Sequence, residues 1–80
     1  MQDRLGKEIS IGDRVVHFQK DSTYVRIQIG HVTELNEEYR RDYWSTPGAL
    51  KLNREWTNSF QEIGVNTPWI DSRNVIVINP

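Results

Sequence analysis

Residues 24–35 read Tyr24-Val25-Arg26-Ile27-Gln28-Ile29-Gly30-His31-Val32-Thr33-Glu34-Leu35. Val25, Ile27 and Ile29 alternate with Arg26 and Gln28, the period-two pattern of a strand with one face against a core. The alternation changes parity at Gly30, because Val32 rather than His31 carries the next large aliphatic side chain. A glycine at such a switch marks a β-bulge or a sharp bend. Strands bent in this way let a few of them close into a small barrel, so the stretch predicts a mostly-β fold with Gly30 at its corner.

The flanking sequence extends that reading. Ile11-Gly12-Asp13 is a tight turn, since Gly12 accepts positive φ and Asp13 can bind nearby backbone N–H groups. It leads into Val15-Val16-His17-Phe18, a first strand, and the polar run Gln19 to Thr23 fits a hairpin loop. Residues 36–49 carry no apolar stripe at helical spacing, and Thr46-Pro47-Gly48 forces a turn. Ala49 to Trp56 reads as a third strand with Leu50, Leu52 and Trp56 on one face, a pattern that Arg54 interrupts. Asp71 to Asn74 is a turn. The four aliphatics Val75 to Ile78 suit a closing strand buried on both sides. Val15 or Val16, Ile27, Ile29, Val32, Val75 and Val77 are expected to form one core. Residues 1–80 make a single domain, with a polar lead-in over 1–8 and an irregular excursion over 36–70.

Composition narrows the chemistry. A chain of 80 residues buries only about three-fifths of its unfolded surface, so its core is thin. It has no Cys, which excludes disulfides, thiolate zinc sites and cysteine nucleophiles. Self-association or a partner is the reinforcement left to it. Ten Lys and Arg against eleven Asp and Glu give a net charge of −1, without the basic excess of non-specific nucleic-acid binders. Any nucleic-acid contact must come from a local cluster of cations. Residues 1–13 are charged throughout and read as neither a signal peptide nor a membrane span. With the absence of Cys, this fits the cytoplasm.

The pattern I-x-I-G-D-x-V-V, then I-G-x-V, then a late aliphatic strand, is carried by Ile11-Gly12-Asp13, Val15, Val16, Ile29-Gly30, Val32 and Val75 to Ile78. It resembles the KOW-type and related Src-homology-3-like small β-barrels, here with a long irregular insertion before the closing strand. It is also similar to small barrels common in bacteriophage genomes. The resemblance implies modules that bind RNA, DNA or proteins associated with RNA polymerase, and it carries over no functional residue.

No catalytic constellation stands out. Asp13 is explained as a turn residue and Glu37-Glu38 as a solvated charge run, and no serine sits in a nucleophile elbow. His17 and His31 are too few for a metal site, and no glycine-rich loop cradles a phosphate, so no cofactor is expected. The distinctive feature is the interleaving of aromatic and cationic residues: Tyr39, followed by the candidate contact residues Arg40, Arg41, Tyr43, Trp44, Lys51, Arg54 and Trp56. Aromatic rings stack on unpaired bases while guanidinium groups meet phosphates. On this reading Arg41, Lys51 and Arg54 contact phosphate and Tyr43 or Trp44 stacks. Trp69 is assigned to the core. Glu37, Glu38 and Asp42 lie in the same segment, and mixed charge around aromatics suits a protein partner as well. The sequence thus points to a non-catalytic binding module for nucleic acid or the transcription machinery. The alternative is a protein–protein module, such as a small phage-encoded modulator of a host protein.

Overall fold

The computed structural model describes residues 1–21 and 23–79. Five antiparallel strands form one curled sheet, a half-barrel: β1 (Arg14–Asp21), β2 (Tyr24–Asn36), β3 (Ala49–Thr57), β4 (Ile70–Asp71) and β5 (Val75–Val77). The order is β4-β3-β2-β1-β5, so a meander of four strands is completed by a fifth that returns to the first. This is the expected small, mostly-β fold. No helix among the described residues is long and apolar enough to cross a membrane.

The entry turn forms as its residues require. Gly12 has φ +91°, and Asp13 Oδ2 accepts from Ser10 N at 2.8 Å. Gly12 N and Val32 N then tie the turn to β2. The β1–β2 pairing runs from Arg14 opposite His31 to Asp21 opposite Tyr24. The strand therefore continues through Gln19, Lys20 and Asp21, where a loop was expected. Regular cross-strand pairing overrides the polar composition. Of the expected loop residues, Ser22 lies outside those described.

Two register slips between β2 and β3 set the curvature. At the first, Ile29 pairs with Trp56 and Gly30 with Arg54, so Glu55 is the extra residue. Gly30 does sit at a bulge, but the extra residue belongs to the neighbouring strand. At the second, Val32 pairs with Leu52 and Glu34 with Lys51, leaving Thr33 extra. Its hydroxyl donates to Lys51 O at 3.2 Å. The parity change on β2 therefore occurs at Thr33, and Leu35 follows Val32 towards the inside. Gly30 is needed for another reason: a Cβ there would lie 2.3 Å from Asn53 O.

The core comprises Ile9, Val15, Val32, Leu50, Leu52, Val75 and Val77, with Met1, Leu35 and Ile70 packed against it. Ile27 and Ile29 are not in it. They stand half-buried on the outer face, paired with Phe18 and Val16. Ile76 faces the same way, so β5 is buried on one side only. The glutamate bulge turns Trp56 onto this outer face as well, away from Leu50 and Leu52.

Residues 1–8 are no loose lead-in. The buried Asp3 carboxylate accepts from Leu5 N (2.9 Å), Lys7 N (2.8 Å) and Val77 N (2.8 Å), fastening the chain start to β5. Burial pushes this carboxyl up, but the three N–H donors outweigh burial and hold it below its ordinary range. Within the excursion, β3 forms where the third strand was expected. Between β4 and β5, residues 72–74 make a 3-10 turn capped by Asp71, whose side chain accepts from Arg73 N.

Gly30→Ala should destabilise the domain by roughly 3 kcal/mol, because the new methyl group meets backbone rather than a movable side chain. A urea-unfolding midpoint close to wild type would contradict that origin for the curvature. Leu52→Ala should cost roughly 2–5 kcal/mol, whereas Ile27→Ala on the outer face should cost clearly less. Equal losses in the two unfolding curves would refute the division into faces.

Candidate functional site

Along the inner face of the sheet the residue chemistry changes at Gly30. On one side are Val15, Val32, Leu50 and Leu52. On the other, the same strand faces carry His17, Arg26, Gln28 and Arg54. Loops 37–48 and 58–69 rise beside this polar half and enclose a cleft of about 270 Å³. Its lining includes Arg41, Tyr43 and Trp44 from the first loop, and Gln61 and Trp69 from the second.

A directional hydrogen-bond chain forms the floor. Arg54 Nε donates to Gln28 Oε1 at 2.6 Å, and Gln28 Nε2 donates to His17 Nδ1 at 3.0 Å. A guanidinium can only donate, so it fixes the amide orientation, and the amide fixes the imidazole tautomer. His17 Nδ1 is the acceptor and Nε2 carries the proton. Burial pushes the His17 pKa down to about 4; Asp71 opposes this, while Arg26 and Arg54 add to it. His17 is therefore a neutral donor at physiological pH.

Arg54 is 6% exposed. Its other bond runs from Nη1 to Glu62 O at 2.8 Å, which also fastens the second loop. Among the described residues, both hydrogen-bond partners are neutral. A buried guanidinium without a carboxylate against it keeps most of its desolvation cost. The acid of the cleft, Asp71, is engaged elsewhere: Arg73 Nη2 donates to its Oδ2 at 2.6 Å and Nε to its Oδ1 at 3.1 Å. Arg73 also contacts Ser45.

The first loop is held by its aromatics. Asn36 Oδ1 accepts from Glu38 N and Tyr39 N, starting the turn. Tyr39 meets Trp44 edge-on at 5.7 Å and stacks on Trp69 at 5.5 Å, between ring centroids. Trp44, at 5% exposed, is a packing residue with no free face for a base. Tyr43, at 77% exposed, stands at the mouth. The hydroxyls of Tyr43 and Tyr39 lie beside the Arg41 guanidinium and hold it further in its charged form.

Four of the seven expected contact residues thus meet in one cleft: Arg41, Tyr43, Trp44 and Arg54. Three do not. Arg40 braces the loop by donating to Trp44 O at 2.8 Å. Lys51 lies 4.8 Å from the Trp69 ring centroid and pairs with Glu34 at 3.6 Å. Trp56 is on the opposite face of the sheet. His31 is also on that face, paired with Glu55, so the two histidines cannot share a ligand. Trp69 is half-buried in the aromatic cluster rather than in the main core. Sequence reasoning missed His17, Gln28 and Gln61. The available signal was Arg54 itself, a charge at an inward position of an otherwise apolar strand.

The histidine gives a pH signature. Its folded pKa of about 4 lies below the ordinary 6.5, so between these values the unfolded chain binds the extra proton. Stability should be complete above pH 6.5 and fall towards pH 4, by roughly 3 kcal/mol at most. Asp3 and Asp13, both held below 3.8, act only at lower pH. Denaturant midpoints at pH 7 and pH 4.5 should differ in the wild type and converge in His17→Gln. An equal acid loss in both proteins would remove His17 as the cause.

No protein-family model, curated protein or solved structure matches the chain.

Proposed function

We propose that this chain is a non-catalytic binding module, a small barrel of the KOW-type, Src-homology-3-like kind, whose ligand is single-stranded nucleic acid. The observation that carries the reading is Arg54. It is a buried cation with neutral hydrogen-bond partners at the floor of a cleft that has a second arginine and an exposed tyrosine at its mouth. An anionic group entering the cleft supplies the missing counter-charge, and Tyr43 offers a face to an unpaired base. Arg41 and Arg54 supply locally the positive charge that a net charge of −1 does not. The four-strand meander with its returning fifth strand supports the barrel kinship. An association with the transcription machinery is what that kinship implies, and the absence of Cys fits a cytoplasmic setting.

The non-catalytic part rests on proton chemistry. His17 is held neutral with Nδ1 already committed, and Asp71 is gripped by Arg73. Burial keeps His17 from exchanging a proton near neutral pH.

A second reading, a protein partner, is favoured by the outer face. There Trp56, 47% exposed, continues a half-buried stripe formed by Val16, Phe18, Ile27, Ile29 and Ile76. Aromatic and aliphatic residues of this kind anchor protein interfaces.

Labelled single-stranded oligonucleotides titrated at two salt concentrations separate the two. Arg41→Ala should lower both affinity and salt slope, at about 0.7 per phosphate neutralised. Tyr43→Ala should weaken binding by roughly 1–3 kcal/mol with the slope unchanged, because stacking releases no counterions. Trp56→Ala should leave binding intact. Failure of every oligonucleotide to bind at low salt would overturn the nucleic-acid reading in favour of the protein partner.

A further inference from the structure

We infer that the cleft recognises a terminal phosphomonoester carried on a nucleoside, either the phosphorylated end of a single strand or a free nucleoside monophosphate. This rests on the nucleic-acid reading above and narrows it from a strand to a strand end.

Space is the first ground. Pockets that enclose whole small molecules begin at about 300 Å³, and this cleft measures about 270 Å³. It holds one unit of a polymer. An internal phosphodiester reaching Arg54 would have to bring a sugar on each side into that volume. A terminal phosphate brings one. The floor beneath Arg54 is hydrogen-bonded sheet, with Gln28 and His17 buried in it, so a ligand enters from the mouth and stops there.

Donor count is the second. A guanidinium has five N–H groups. Arg54 uses one on Gln28 and one on Glu62, which leaves three. His17, which also lines the cleft, adds a neutral Nε2–H, its tautomer set by Gln28. A phosphomonoester has three terminal acceptor oxygens and a charge of about −1.5 to −2. An internal diester has two such oxygens and a single charge. The monoester therefore matches more of the donors and compensates the buried cation more fully.

The cleft wall supplies the third. Gln61 has a buried side-chain oxygen with no hydrogen-bond partner among the described residues. A buried amide left unpaired is costly, and an N–H or O–H of the ligand's base or sugar satisfies it. Tyr43 at the mouth is placed to cover the base.

The test is fluorescence anisotropy of the full chain with one single-stranded sequence bearing a 5′-phosphate, a 3′-phosphate or hydroxyl ends, labelled internally. Nucleoside monophosphate, nucleoside and inorganic phosphate serve as competitors. One phosphorylated end should bind roughly 10- to 100-fold more tightly than the hydroxyl-ended strand, the range of one or two charge-assisted hydrogen bonds. The monophosphate should compete and the nucleoside should not. The 5′ and 3′ probes, set against the free monophosphate, identify which source of the group is preferred. Arg54→Gln should abolish the preference for a phosphorylated end. Because Arg54 is buried, the exposed Arg41→Gln is the second variant, with the fold checked by circular dichroism, and it should reduce the preference severalfold. Equal binding of phosphate and hydroxyl ends would overturn the chain-end inference and leave the nucleic-acid reading standing. Absence of binding by any strand or nucleotide would overturn both.

Discussion

At Gly30 two backbones approach so closely that even a methyl group has no room: its carbon would fall 2.3 Å from the carbonyl oxygen of Asn53. Strand β3 takes in an extra residue, Glu55, at the same level. A bulge of this kind raises local twist and bends the strand that holds it. The bend curls the sheet, and only a curled sheet lets β5 return to β1 while β4 lies at the far side of β3. The core and the cleft both lie inside that curl. They meet at Gly30, where the lack of a side chain separates an aliphatic half from a polar one.

That division has an energetic cost. An 80-residue domain has little apolar surface to bury, yet here part of the inner face is given to an arginine, a glutamine and a histidine. The histidine stays neutral, and the glutamine is paired on both sides. The arginine has neutral partners for two of its five N–H groups and no charge partner among the described residues. Residues that weaken a fold locally without local compensation mark sites under functional constraint. The surrounding loops behave consistently, since the second is fastened through Arg54 itself and the first through the Tyr39, Trp44 and Trp69 rings.

Much of the architecture was legible in local chemistry. The turn at Gly12, the strand over 24–35, the third strand and the final aliphatic run all have short-range causes. Which face of β2 is inside was not legible. Alternation reveals two faces, and assigning the aliphatic one to the core placed Ile27 and Ile29 inward. The inner positions are Gln28 and Arg26, because the sheet encloses a polar site there. Register slips were equally hidden, since a bulge depends on the partner strand. Without the slip at Glu55, Trp56 would share a face with Arg54, as a simple alternation predicts. The aromatic–cationic interleaving did locate the cleft through Arg41, Tyr43 and Arg54. It could not tell a packed ring such as Trp44 from an exposed one such as Tyr43, because that depends on Tyr39 and Trp69 closing around it.

The hydrogen bond between Asp3 and Val77 spans 74 positions of sequence. The β1–β2 hairpin is local and can form early, but the sheet is completed only when β5 arrives beside β1 and its backbone meets the carboxylate of Asp3. Contacts of long sequence separation slow folding, because a large loop must close before they stabilise anything. Synthesis delivers the N-terminal residues first, so the anchor is made long before the strand it holds. During that interval β1 exposes an unpaired edge and the aliphatic side chains that β5 will cover. The nascent chain is then most open to mispairing, and release from that state is governed by the last strand to appear.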